Sequence, residues 1–195
     1  VDKYSATFAT WIQQNTDLQV GDRIAVQMPN LLQYPIVVFG AMRAGLVIVN
    51  TNPLYTAREM EHQFKDAGCK ALVTLANFGQ LVQEVLPKTG IRYVIISELA
   101  DMLPFPKRVV VNNIVKYVKK LVPAYHLPMA IPFTQVMKAN PSKFKEVTLK
   151  PDDIAVLQYT GGTTGVSKGA MLTHRSITSN MLQTHAFLST ALEAG

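Results

Sequence analysis

Short apolar runs alternate with helix-period segments through the first hundred residues, and this alternation constrains the fold more than any other feature of the chain. Residues 4–14 place Phe8, Trp11 and Ile12 at helical spacing, and Asn15 with the turn Leu18-Gln19-Val20-Gly21-Asp22 closes the segment. Residues 23–28 read as a short strand ended by Pro29-Asn30. The next helix is expected to begin at Pro35, because proline is accommodated in a first helical turn, and to stop at Gly45. Residues 46–49 give a second buried strand, with Asn50-Thr51-Asn52-Pro53-Leu54-Tyr55 as the loop at its carboxyl end. Thr56 and Glu59 stand at capping-box spacing, and Met60, Phe64 and Ala67 share one helix face before Gly68. Strand 70–75, helix 78–86 and strand 92–96 continue the series. Such repeats require parallel strands with crossover helices on both faces, so the expected fold is a doubly wound, mostly parallel α/β sheet with flanking helices. Ligands in such sheets lie beyond the carboxyl ends of the strands, which makes the 50–55 loop a candidate wall of a site. Asn and Pro are also ordinary turn formers, and a purely structural role is the favoured reading of this loop.

The alternation lapses over residues 101–150. Prolines at 104, 106, 123, 128, 132 and 141 mark a connection between an α/β unit at 1–100 and a final unit at 151–195, with the domain expected to be incomplete at both ends. One helix is predicted inside it, over 108–122. Val110, Ile114, Val118 and Val122 recur at i+4, while Arg108, Lys116, Lys119 and Lys120 form a basic face. Its apolar side packs either on its own domain, as in most soluble proteins, or on a lipid surface.

The run Tyr159-Thr160-Gly161-Gly162-Thr163-Thr164-Gly165-Val166-Ser167-Lys168-Gly169 puts flexible polar backbone beside one fixed cation. Glycines let successive N–H groups turn toward one anion, hydroxyls add donors, and Lys168 adds charge, so the run reads as a phosphate cradle. Apolar runs at 154–157 and 170–172 flank it, giving strand, loop, strand, and a helix is expected over 173–188 with Ile177, Met181 and Leu182 on one side. A Walker A loop has Gly-Lys-Ser/Thr leading into a helix, whereas Lys168 lies between Ser167 and Gly169.

A net charge of +6 and a pI near 9.4 favour polyanionic partners such as a nucleotide, coenzyme A or an anionic membrane. No docking motif or interleaving of basic and exposed aromatic residues points to nucleic acid. The single Cys69 excludes an intramolecular disulfide and fits a reducing compartment. Histidines 62, 126, 174 and 185 lack metal-ligand spacing, and His174 reads as structural at a strand end. The longest apolar stretch, 35–49, falls short of the roughly 20 residues of a membrane span. The chain starts without Met or a signal-like segment, so a trimmed piece is expected.

The sequence Tyr-Thr-Gly-Gly-Thr-Thr-Gly-Val-Ser-Lys-Gly-Ala-Met-Leu-Thr-His-Arg resembles the phosphate loop of adenylate-forming enzymes, especially bacterial long-chain fatty acyl-CoA synthetases. Asn-Thr-Asn-Pro-Leu-Tyr-Thr, from Asn50, is similar to a turn of the same family, and the resemblance runs along the whole chain. Gly161 stands where many members have Ser, and Ser167 where many have Pro. The resemblance implies the N-terminal part of an enzyme that activates a fatty acid with ATP to an acyl-adenylate and then forms the CoA thioester. It implies that Thr160, Gly161, Gly162, Thr163, Thr164, Gly165, Ser167, Lys168 and Gly169 hold the β- and γ-phosphates of Mg-ATP. Lys168 is the implied catalytic residue and Thr163 the implied Mg²⁺ contact. Fatty acid, ATP and CoA are the implied partners, in the cytoplasm, with peripheral contact to the inner membrane and a homodimer both compatible. The family's later segments have no counterpart here, so the chain by itself is expected to make no acyl-CoA. A non-catalytic phosphate- or membrane-binding module and another acid-CoA ligase of the superfamily are the alternatives.

Overall fold

Side chains alternate across the central strands and supply two cores. Ile24, Val26 and Ile48 face one side of the sheet with Phe8, Trp11, Val37 and Phe133, while Ala25 and Val49 face the other with Met60, Phe64, Leu72 and Val82. The computed structural model describes residues 1–160 and 167–191. Its strands are β1 (Arg23–Gln27), β2 (Val47–Asn50), β3 (Cys69–Leu75), β4 (Tyr93–Ser97), β5 (Ala130–Pro132), β6 (Ile154–Thr160) and β7 (Lys168–Thr173). They form one sheet in the order β5-β4-β3-β1-β2-β6-β7. Every neighbouring pair is parallel except β6 and β7. The sheet is thus doubly wound and mostly parallel, and it draws strands from residues 1–100, 101–150 and 151–195 alike.

Helices α1 (Asp2–Asn15) and α2 (Gln33–Arg43) cover one face, and α3 (Ala57–Asp66) and α4 (Gly79–Val85) the other. α1 and α2 approach closely at Gly40, where an added Cβ would lie 2.8 Å from Phe8 Cβ. α2 begins at Gln33, two residues before the expected Pro35, which becomes the third helical residue and still has no N–H that the helix needs. The buried Gln33 amide donates to Glu98 O at 3.0 Å, which ties the start of α2 to the end of β4. α3 has the reciprocal capping box that its sequence predicts. Glu59 Oε2 accepts from Thr56 N at 2.8 Å, and Thr56 Oγ1 accepts from Glu59 N at 3.4 Å.

The proline-rich segment contributes edge strand β5 and the short helix α6 (Phe133–Val136), whose Phe133 and Val136 are fully buried. Pro132 is tolerated there because an edge strand leaves one row of donors unused. The helix expected over 108–122 is instead α5 (Lys107–Asn113) followed by a π-helical turn (Ile114–Val118), and Lys120 turns left-handed at φ 50°. The β-branched run Val109-Val110-Val111 and Ile114-Val115 crowds the helix and weakens its continuation. No residue of α5 or the π-turn is fully buried: Val111 and Val115 are half-buried, while Val110, Ile114 and Val118 are 54%, 41% and 71% exposed. The segment is held from its polar side, where Asn112 Oδ1 accepts from Ala100 N at 2.9 Å. The final helix α7 is His174–Ala191.

Candidate functional site

The antiparallel pair β6 and β7 is the frame of the site. Thr160 pairs with Lys168 as the last rung, at the carboxyl end of β6, the end where β1 and β2 also finish. Gly161, Gly162, Thr163, Thr164 and Gly165, expected phosphate and Mg²⁺ contacts, lie outside the described residues. The structure places the remaining expected residues, Thr160, Ser167, Lys168 and Gly169, side by side at the loop's two stems. Ser167 Oγ donates to Thr160 O at 2.7 Å and closes the base of the loop. Lys168 is exposed, and among the described residues no carboxylate pairs with it. An exposed cation with no carboxylate partner among the described residues is chemically suited to an anion.

Gly169 faces the ring of Tyr159 so closely that a Cβ would sit 2.9 Å from it. The Tyr159 hydroxyl donates to Asp66 Oδ2 at 2.5 Å. Burial, reinforced by that carboxylate, pushes the phenol's pKa well up, so it remains a donor. His62 Nε2 lies 3.1 Å from Ser167 O; a carbonyl only accepts, so the ring nitrogen is the donor. Sequence reasoning missed His62, Gln63 and Asp66. Their one local signal is that His62 and Asp66 stand four apart on a strongly marked helix and therefore share a face.

Beside this hairpin, a cavity of about 420 Å³ opens at the carboxyl ends of β1, β2 and β6 and is lined by Met28, Tyr34, Asn50, Asn52, Tyr55 and Gln158. A hydrogen-bond chain crosses it. Tyr34 Oη donates to Asn50 Oδ1 at 2.9 Å, and Asn50 Nδ2 donates to Gln158 Oε1 at 3.1 Å. Burial raises the Tyr34 pKa, partly offset by its bond to Asn50. The 50–55 loop therefore both turns the chain, with Asn52 Oδ1 accepting from Leu54 N at 3.0 Å, and walls the cavity.

His174 takes no part. It sits at the far end of β7, opposite the start of β6, where its N–H donates to Asp153 O at 3.1 Å. Cys69 is buried at the start of β3, and burial pushes its thiol up to about 12 despite the nearby Arg23, consistent with a small core residue. Among the described residues no group of three or more His, Cys, Asp or Glu side chains is placed to hold a metal ion.

A doubly wound sheet whose β6–β7 hairpin opens beside a polar cavity at the carboxyl ends of the strands is an open α/β scaffold of the kind that takes ligands at that edge. The family model for AMP-binding enzymes matches residues 1–193, and the chain belongs to that family. It is 47% identical over 196 residues to a long-chain-fatty-acid–CoA ligase of Escherichia coli, covering all of this chain and 35% of that protein. To the Haemophilus influenzae protein of the same name it is 49% identical over 186 residues, covering 94% of this chain and 33% of that protein. A solved long-chain-fatty-acid-CoA ligase from Archaeoglobus fulgidus superposes with a TM-score of 0.73 at 26% identity, covering 98% of this chain and 32% of that one. The chain thus spans about a third of the length of the relatives it matches.

Proposed function

We propose that the full-length protein carrying this chain is a long-chain fatty acid–CoA ligase and that the hairpin loop holds the ATP phosphates. The observation that carries this reading is the 47% identity along the whole chain to a protein of that name; an exposed Lys168 at the carboxyl end of β6, with no carboxylate partner among the described residues, supports it. In the reaction a carboxylate oxygen bonds to the α-phosphorus while the bond to the bridging oxygen breaks and pyrophosphate leaves. The CoA thiol then attacks the acyl carbonyl, its proton passes to solvent, and AMP departs.

Thr160, Ser167 and Gly169 of the described stems, with 161–165 between them, would cradle the β- and γ-phosphates, and Lys168 would offset the charge that grows on departing pyrophosphate. Mg²⁺ would neutralise phosphate charge when bound with ATP. Hydroxyl and phosphate oxygens suit so hard a cation, with Thr163 as the protein's contact.

Peripheral membrane contact is part of the same reading. No helix among the described residues is long and apolar enough to cross a membrane. α5 and the turn after it nonetheless hold Val110, Ile114, Tyr117, Val118 and Leu121 outward beside Lys107, Arg108, Lys116, Lys119 and Lys120. No Asp or Glu occurs between Asp101 and Glu146. An apolar ridge in a purely basic stretch matches an anionic lipid surface.

The test is acid-dependent ATP–pyrophosphate exchange by the full-length protein. Exchange should require a long-chain fatty acid and fall about 100-fold in Lys168→Ala, with fatty-acid binding kept. ATP binding without exchange for any acid would favour the non-catalytic module, and an unchanged rate in Lys168→Ala would remove Lys168 from the chemistry.

A further inference from the structure

The face of α3 turned toward the site makes three polar contacts in little more than one helical turn. His62 reaches Ser167 O at 3.1 Å, Gln63 Nε2 donates to Asn50 O at 2.9 Å, and Asp66 accepts from the Tyr159 hydroxyl at 2.5 Å. The partners are the carboxyl end of β2 and the two stems of the loop. The end of β2 lies close to α3 in the chain, Asn50 and Gln63 being 13 positions apart, whereas the loop stems are far from it, His62 and Ser167 being separated by 105 positions. α3 is a rigid place to anchor them. Its start is closed by the capping box, and Met60 and Phe64 fix it in the core at 0% and 1% exposure.

The His62 contact has a specific consequence. The carbonyl of Ser167 and the N–H of Lys168 belong to one planar peptide. Gripping that oxygen sets the peptide plane, and with it the direction in which the Lys168 side chain leaves the backbone. Ser167 meanwhile bonds Thr160 O across the loop base, so one residue couples both stems to α3. Tyr159 adds a second fixing point one turn along the helix, where its ring lies against Gly169. We infer that His62 is a positioning residue for the phosphate loop, acting through the Ser167–Lys168 peptide, with Asp66 and Tyr159 holding the other stem. This rests on the loop's being the ATP-phosphate site.

The experiment uses the full-length protein and measures ATP affinity by calorimetry, KM for ATP and for fatty acid in the exchange assay, and thermal unfolding. His62→Ala should weaken ATP binding and raise KM for ATP about five- to tenfold, the scale of one hydrogen bond, while KM for the acid and the melting temperature stay put. His62→Gln, whose amide N–H reaches a similar distance, should return ATP binding to within about twofold of the parent. His62→Phe, which fills the ring's place without a donor, should behave like His62→Ala and covers the case of a variant that packs poorly. Parent-like ATP binding in His62→Ala and His62→Phe, or equal damage in His62→Gln, overturns the inference. So does a fall in melting temperature with both KM values rising together, which marks a structural role only. Lys168→Ala separates the two readings. If it weakens ATP while the His62 variants do not, only the positioning role fails; if neither the parent nor Lys168→Ala shows a phosphate-dependent affinity for ATP, the site itself is wrong and the inference falls with it.

Discussion

Gly68→Ala tests whether α3 is terminated as the structure describes. Gly68 follows the helix at φ +60°, a left-handed conformation that costs an L-residue about 1–2 kcal/mol. An added Cβ would also lie 2.6 Å from Arg23 Nη2. That atom is the far end of a flexible side chain, so Arg23 moves rather than the backbone, but its Nε then leaves Ala67 O, to which it donates at 2.7 Å. One net hydrogen bond adds about 1 kcal/mol, for a total of about 2–3 kcal/mol. Gly21→Ala is the control: Gly21 has φ +86°, yet nothing lies within 4 Å of its added Cβ, so only the conformational cost of about 1–2 kcal/mol applies. Urea unfolding of the chain, followed by the fluorescence of its single tryptophan, the 7%-exposed Trp11, measures both. Gly68→Ala should have the lower midpoint with an unchanged slope. Equal midpoints would refute the Arg23 contribution, and a Gly68→Ala midpoint equal to the parent's would refute the left-handed cap.

For Asp22, burial raises the carboxyl pKa, but the Gln19 N–H at 2.9 Å and Lys70 at 2.7 Å outweigh it, so the folded value lies below the usual one. Its stabilisation is therefore complete above the unfolded pKa and lost as pH falls through the folded value; Asp22→Asn should destabilise at pH 7, and urea midpoints of variant and parent should converge only once pH falls below the usual carboxylate range. Cys69, at 1% exposure with its thiol near 12, should resist an aromatic disulfide reagent at pH 8 in the native state and react at once in urea; rapid native labelling would contradict its burial. Replacing Lys116, Lys119 and Lys120 by Gln should release the protein from anionic vesicles at low salt with its circular dichroism unchanged; equal sedimentation of both forms would make these lysines an ordinary solvated surface.

The parts of this fold with local periodicity were legible in the sequence. β1 to β4 announce themselves as apolar runs, and the Thr56 and Glu59 capping box marks α3 to the residue. β5 was not legible, because Ala-Ile-Pro in a proline-rich stretch carries no period, and it becomes a strand only by pairing with Val94, Ile95 and Ile96. Phe133 and Val136 were hidden for the same reason: a four-residue helix is too short to display a face. The glycines, threonines and lysine of 160–169 carry an anion-binding pattern in the sequence, but the contacts that hold the two stems were not legible there. A contact such as His62 to Ser167 is fixed by how β2, α3 and β6 cross in space and leaves no spacing to read.

β7 is the strand on which the site's geometry depends, and it has the least core of its own. Met171 is 69% exposed, and its only strand neighbour is β6. It is held at its two ends by different means. At the end remote from the loop, His174 and Arg175 N–H groups bond Asp153 O and Pro151 O, and Arg175 pairs with Asp152 at 2.8 Å. At the loop end the holds among the described residues are the Thr160 to Lys168 rung, the Ser167 to Thr160 bond and the contacts from α3. Packing that fixes α3 is therefore also what fixes the stems at Tyr159 and Ser167. A substitution under α3 such as Phe64→Leu should therefore disturb the Ser167 and Tyr159 stems through His62 and Asp66 without touching them, whereas one that loosens the Arg175 end should leave the α3 holds in place.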